Sequence, residues 1–264
     1  MTYKVQPCSL ACRLVEAFNR VSFPLQLLYG KSRLITGASS GLGRAVSVAL
    51  GKAGFHLILT GRSKTELEKT QSLIKNSVVV PADLSNLLAI NRLIGNIKNL
   101  TKRVDVLVNL AGIWHGQNEV YAAKDIEKFE QKVILDTFMV GTVAPTLLVH
   151  GLLPLMPAGS KIINISGTFE SGAKGWLPYY VSKRAIEDLT IGLAQELERK
   201  GIQVNAISPS DCATTAYKKY FPQYINEAIA PEKIAEFVID LCQKDITGKV
   251  FVLKKDKKPF TSFH

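Results

Sequence analysis

Tyr179 and Lys183 stand four residues apart in a stretch, 179–200, whose apolar spacing predicts a helix. Residues four apart share one helix face. The Lys183 ammonium would therefore lie beside the Tyr179 phenol, favour its phenolate and lower its pKa. A phenol tuned in this way can exchange a proton with a carbonyl or alcohol oxygen near neutral pH. Tyr180 competes for the role, but Arg184 rather than a lysine lies four residues beyond it. Taken alone, the pair is as well explained by surface packing.

A second set of residues points to a dinucleotide. Thr36-Gly37-Ala38-Ser39-Ser40-Gly41-Leu42-Gly43 lies between an apolar run and a helical pattern. Gly37 allows a sharp turn, Gly41 a close approach of main chain to pyrophosphate, and Gly43 close packing of helix on strand. The free N–H groups of the helix N-terminus would face the phosphates. Ser39, Ser40 and Leu42 belong to the same turn and are expected contacts with the three glycines. The next strand ends in Thr60-Gly61-Arg62-Ser63, with no acidic residue to bind the ribose hydroxyls of NAD. Arg62 can instead pair with a 2′-phosphate. Ser63 can add a hydroxyl or cap the following helix. NADP (NADPH) is therefore preferred to NAD.

These residues need a scaffold, and the pattern around them supplies one. Strands are expected at 32–36, 55–60, 77–80, 104–109, 161–166, 202–208 and 249–253. Helices are expected at 42–53, 64–75, 86–98, 125–150, 179–200 and 231–243. Such alternation predicts an α/β, doubly wound Rossmann-type parallel sheet of about seven strands with helices on both faces. Its ligands bind beyond the carboxyl ends of the strands. The reading gives one domain, 31–264, preceded by an N-terminal extension, 1–30.

Bulk composition narrows the classes. Hydrophobic residues make up 47% and charged residues 21%, an ordinary globular balance that argues against disorder. The net charge of +11 suits an anionic cofactor or carrier, but the basic residues form no stripe and no nucleic-acid motif is present. Cys8, Cys12, Cys212 and Cys242 make neither a disulfide framework nor a metal spacing. Free thiols in a reducing cytoplasmic setting follow, with no metal. In the extension, Leu10, Leu14, Ala17, Phe18 and Val21 share a helical face, ended by Pro24. Readings for it are a helix packed on the domain, a peripheral membrane contact or an organelle-targeting segment.

Together, the glycine turn, Asn109-Leu110-Ala111-Gly112, Tyr179-Tyr180-Val181-Ser182-Lys183, and Pro209 with Thr214 resemble the short-chain dehydrogenase/reductase family from about residue 32 onward. The resemblance implies carbonyl–alcohol interconversion by hydride transfer, on a homodimer or homotetramer. It makes Tyr179 the acid/base and gives Lys183 the nicotinamide ribose as well. Ser166, thirteen residues before Tyr179, becomes the serine that orients the carbonyl; Gly167 stands where relatives often have a second serine. Asp83 and Leu84 would contact adenine. Asn109 and Gly112, with Ala111 between them, would border the cofactor and brace the sheet; Pro209 would flank the nicotinamide, and Thr214 would bind its carboxamide or a phosphate. Family members commonly carry an asparagine, three residues before Gly141, that supports the proton relay. Here that residue is Phe138, with Asp136 and Thr137 as nearby polar side chains. A non-catalytic NADP-binding sensor or scaffold is therefore the alternative. Tyr217, Tyr220, Phe221 and Tyr224 with Lys218 and Lys219 place aromatic and basic groups in the expected substrate loop, 211–230. The run Lys254-Lys255-Asp256-Lys257-Lys258 reads as a solvated tail.

Overall fold

The structure, a computed structural model, describes residues 32–169 and 172–262. The expected N-terminal helix, Cys8 and Cys12 lie outside the described residues.

Among the described residues one sheet forms the centre. Its strands are β1 (Ser32–Thr36), β2 (His56–Thr60), β3 (Ser77–Val79), β4 (Val106–Asn109), β5 (Lys161–Ile165), β6 (Gln203–Pro209), β7 (Lys249–Leu253) and β8 (Phe260–Thr261). They are ordered β3-β2-β1-β4-β5-β6-β7-β8. The first seven run parallel. Successive strand residues feed opposite faces, because strand side chains alternate. Leu34, Leu107 and Ile162 enter one core, with Ile90, Leu93 and Ile97 of α3 (Leu87–Leu100) and Leu148 and Leu152 of α5 (Ala144–Leu152). Ile35, Val106, Val108 and Ile163 enter the other, with Val46 and Leu50 of α1 (Gly41–Lys52) and Ile234, Val238 and Leu241 of α8 (Pro231–Gln243). Burial on both faces is what makes these strands continuously apolar.

The remaining helices are α2 (Lys64–Gln71), α4 (Gln131–Phe138), α6 (Leu177–Leu197) and α7 (Thr215–Tyr220). Side-chain caps define several starts. Ser63 accepts from the Glu66 N–H at 3.2 Å, Asn86 from Ala89 at 3.0 Å and Thr214 from Tyr217 at 3.2 Å. Ser40, at the start of α1, makes no such bond, which leaves the first-turn N–H groups to another acceptor.

Two expectations change. The single helix predicted over 125–150 is a 3₁₀ turn (Ile126–Lys128), α4, a π turn (Met139–Val143) and α5. Gly141 in that π turn packs directly on α6: a Cβ there would stand 2.8 Å from Ser182 Cβ. The basic segment after β7 is not a free tail either. It turns back, and Phe260–Thr261 pairs antiparallel with β7, Val252 opposite Phe260. The basic run itself stays largely exposed, and Phe260–Thr261 beyond it is too short to register as a strand in the sequence; the open edge of β7 supplies its partner.

Candidate active site

The strand order reverses between β1 and β4, so the loops after these strands diverge and leave a crevice between them. A cleft of about 1450 Å³ opens there, across the carboxyl ends of the parallel strands. Its floor is the glycine turn. Gly37 has φ +70°, and a Cβ on it would press to 3.0 Å from Ala111 Cα in the loop after β4. At Gly43 a Cβ would fall 2.0 Å from the Gly37 carbonyl oxygen. Side chains at either position would fill the cradle or break it. The turn, with the uncapped start of α1, therefore fits a dinucleotide pyrophosphate. Ser39, Ser40, Gly41 and Leu42 line the same cleft, as do Arg62, Asp83, Leu84, Ala111, Gly112, Pro209 and Thr214. Thr214 reaches the turn from the opposite wall, its Cγ2 3.4 Å from a Cβ placed on Gly41.

Two of the expected cofactor residues stand outside the cleft lining and take the structural half of the role expected of them. Asn109 is buried beside the cleft rather than in its lining, and its amide donates to Asn164 Oδ1 of β5 at 2.8 Å. It braces the sheet. The loop beyond it is held by Thr36, whose hydroxyl accepts from the N–H groups of Leu110 and Ala111 at 2.9 and 3.1 Å. Ser63 is absent from the cleft lining and serves as the cap of α2. Arg44 lines the cleft although the sequence reading passed over it, because it follows the glycine pattern. It is tied to the Ser39 carbonyl at 2.5 Å and to the Glu66 carboxylate at 2.8 Å, which stiffens the turn.

At the other end, α6 brings Tyr179 and Lys183 to the wall. Lys183 Nζ lies 5.3 Å from the Tyr179 ring centroid and donates to the Ile165 carbonyl at 2.8 Å. Gly112 packs against both: a Cβ there would be 3.4 Å from Lys183 Nζ and 3.8 Å from Tyr179 Cε2. The electrostatics depart from the helix-spacing argument. Burial pushes the Tyr179 phenol pKa up, with Cys212 and Asp211 adding to the rise. Burial brings Lys183 down to about 8, while Glu187 pulls it the other way. Desolvation is the largest effect at the phenol, so Tyr179 rests protonated.

Residues 31–225 match the sequence pattern of the short chain dehydrogenases. The chain belongs to the short-chain dehydrogenase/reductase family. It is an NAD(P)-dependent oxidoreductase acting on CH–OH groups. It is 31% identical over 69% of its length to the oxidoreductase YhxC of Bacillus subtilis, and spans 64% of that relative. It is 30% identical to the NADPH-dependent aldehyde reductase 1 of Arabidopsis thaliana, over 81% of this chain and 74% of that one. The fold matches a short chain dehydrogenase from Burkholderia cenocepacia in complex with NADP, with TM-score 0.75 and 22% identity over 86% of this chain and 97% of the other.

Within the short-chain dehydrogenase framework, two positions depart. Ser166 borders the cleft, but its hydroxyl is buried between Glu187 Oε1 at 2.5 Å and the Lys183 carbonyl at 3.0 Å. Both neighbours are acceptors, and the hydroxyl has one proton. A substrate carbonyl would have to displace Glu187 to receive it. Gly167 faces open space: a Cβ there would meet only Phe169 Cε2, at 3.8 Å. Spacing to Tyr179 selects Ser166, yet the side-chain alternation at the end of β5 turns it inward. The second departure is Phe138, which carries no polar side-chain atom. Its neighbours do not replace one: Asp136 pairs with Lys132 at 2.6 Å, and Thr137 donates to the Val133 carbonyl at 2.6 Å.

Glu187 is the residue that sequence reasoning missed. It is buried, bound by Ser166 and by Arg184 Nη1 at 2.8 Å. Its signal was available as Lys183-x-x-x-Glu187, the spacing that puts opposite charges on one helix face.

Proposed function

We propose that this protein reduces a ketone or aldehyde to an alcohol, reversibly, with NADPH as the preferred cofactor. The observation that carries the reading is Tyr179: a protonated phenol at the wall of the cleft, backed by Lys183 and packed on Gly112. The bound dinucleotide supplies the hydride; the protein supplies orientation and a proton. Tyr179 donates its hydroxyl proton to the carbonyl oxygen as negative charge develops there. Lys183 stabilises the resulting phenolate and holds the ribose hydroxyls. Ser166 contributes to carbonyl orientation only when its proton leaves Glu187, so the proton transfer rests on Tyr179.

The preference for NADPH rests on Arg62, exposed just after β2 on the rim of the cleft, with no acidic residue among its chain neighbours Thr60, Gly61, Ser63 and Lys64. A Cβ on the adjacent Gly61 would approach Ser39 Oγ to 3.1 Å and crowd the glycine turn. The Arabidopsis relative is an NADPH-dependent aldehyde reductase, which supports both halves of the proposal. Tyr179→Phe tests it. Carbonyl reduction should fall by about 10²–10⁴-fold, the usual worth of a positioned proton donor, with NADPH binding retained. Near wild-type turnover would defeat the assignment. Phe138 and the inward Ser166 favour one rival, a non-catalytic NADPH-binding protein. That rival predicts tight NADPH binding and no turnover of any carbonyl compound by the unmutated chain.

A further inference from the structure

We infer that the substrate is a flat aromatic ketone or aldehyde, recognised by an arc of aromatic side chains that begins at Tyr179. The inference rests on the carbonyl-reductase reading of the same cleft.

The cleft has two chemically distinct ends. One is built from glycines, serines and arginine; the other is walled by rings. Its volume of about 1450 Å³ exceeds the roughly 300–1,000 Å³ usual for a single small-molecule pocket, so a second ligand fits beside the dinucleotide. Tyr179 has Phe169 on one side and Trp176 on the other, each with its ring centroid 6.0 Å away. Trp176 continues to Phe221 at 5.8 Å, and Phe221 to Trp114 at 6.3 Å. These rings come from four separate segments: the loops after β4 and β5, the start of α6 and the end of α7. No local sequence pattern brings them together. All of them border the cleft.

Ring geometry selects the ligand class. Trp176, Phe221 and Trp114 are tilted by 31–36° from one neighbour to the next, and His115, Tyr217 and Tyr220 pack behind them, so the rings form one continuous aromatic wall of the cleft. A planar aromatic body can lie offset on such a wall, pairing its ring edge and face with theirs. An alkyl chain gains burial there but no ring–ring term. Two of the lysines that line the cleft are engaged with the protein itself. Lys219 donates to the Gln117 carbonyl at 3.3 Å and sits 5.0 Å over the Tyr220 ring. Lys255 donates to the Asn226 carbonyl. These two lysines tie loops together.

The test compares 2-tetralone with 2-decanone, two unconjugated ketones of equal carbon number. Calorimetric titration of the full chain saturated with NADP⁺ measures binding without turnover. We expect 2-tetralone to bind at least tenfold tighter, although 2-decanone has the longer apolar chain. Phe221→Leu and Trp114→Leu should each cut that ratio at least fivefold, with NADPH titration confirming that the variants are folded. Equal binding, tighter 2-decanone binding, or an unchanged ratio in the variants overturns the inference. The preceding proposal fails separately: a tetralone preference without NADPH oxidation in turnover assays removes the reductase reading and supports the aromatic site.

Discussion

Replacing Lys183 with methionine should stabilise the protein at neutral pH and lose that effect at high pH. Lys183 is buried, and burial holds its ammonium at about pH 8 against an ordinary 10.5. Below pH 8 folded and unfolded chains both carry the proton, so the full penalty of burying the charge is present. At about 1.36 kcal/mol per tenfold change in proton affinity, that penalty is about 3 kcal/mol. Between pH 8 and 10.5 the unfolded chain binds more protons than the folded one, and wild-type stability rises with pH. Above 10.5 the penalty is gone. Methionine removes the penalty but leaves the Ile165 carbonyl without the 2.8 Å donor, which costs about 1–2 kcal/mol at any pH in this range. The net gain at pH 7 is about 1–2 kcal/mol, opposed further by the loss of the cation near Glu187. The difference between variant and wild type should then fall by about 2.5 kcal/mol from pH 7 to pH 10. For a chain of this size that is about 5–10 °C in melting temperature. Differential scanning calorimetry of both proteins in matched buffers measures it. A variant-minus-wild-type difference that is constant across this range would refute the reasoning, because it would mean that Lys183 enters the folded state without losing affinity for its proton.

Other perturbations separate the remaining roles. Glu187→Gln keeps the hydrogen-bonding shape but removes the negative charge that pulls the Lys183 pKa upward, so the alkaline limb of the kcat/KM profile should move to lower pH. Glu187→Asp should restore part of the shift; a profile that drops in height without moving would leave Glu187 a purely structural role. Arg62→Ala should raise the NADPH dissociation constant about tenfold or more, the worth of a hydrogen bond to a charged group, and leave NADH within about threefold. Equal losses for both nucleotides in titration would place Arg62 away from the 2′-phosphate. Gly43→Ala puts a Cβ 2.0 Å from the Gly37 carbonyl oxygen, where backbone rather than a pliant side chain must move. NADPH binding should be lost together with about 1–3 kcal/mol of stability, read from titration and denaturant unfolding.

Local chemistry was legible before any coordinates. Alternating apolar strands and periodic helices set the parallel sheet, because burial on two faces and burial on one face leave different residue patterns. The glycine turn and the Tyr179–Lys183 pair depend on neighbours within a few positions, and both stand where that spacing places them. A short-range rule also anticipated the Ser63 cap of α2, whereas the Thr214 cap of α7 appears only in the structure.

Tertiary structure decided whatever depends on distant partners. Asn109 is expected to brace the sheet, but its partner, Asn164 opposite it on β5, is set by the strand register. Ser166 has the right separation from Tyr179, but the register of β5 turns its hydroxyl to a glutamate on the far side of α6's first turns. Phe260–Thr261, beyond the largely exposed basic run, found the open edge of β7. Most consequentially, the Tyr179–Lys183 pair kept its geometry and reversed its electrostatics. Four-residue spacing sets how near the ammonium lies to the phenol. Only the folded surroundings set how much water each retains, and here the loss of water is the larger effect.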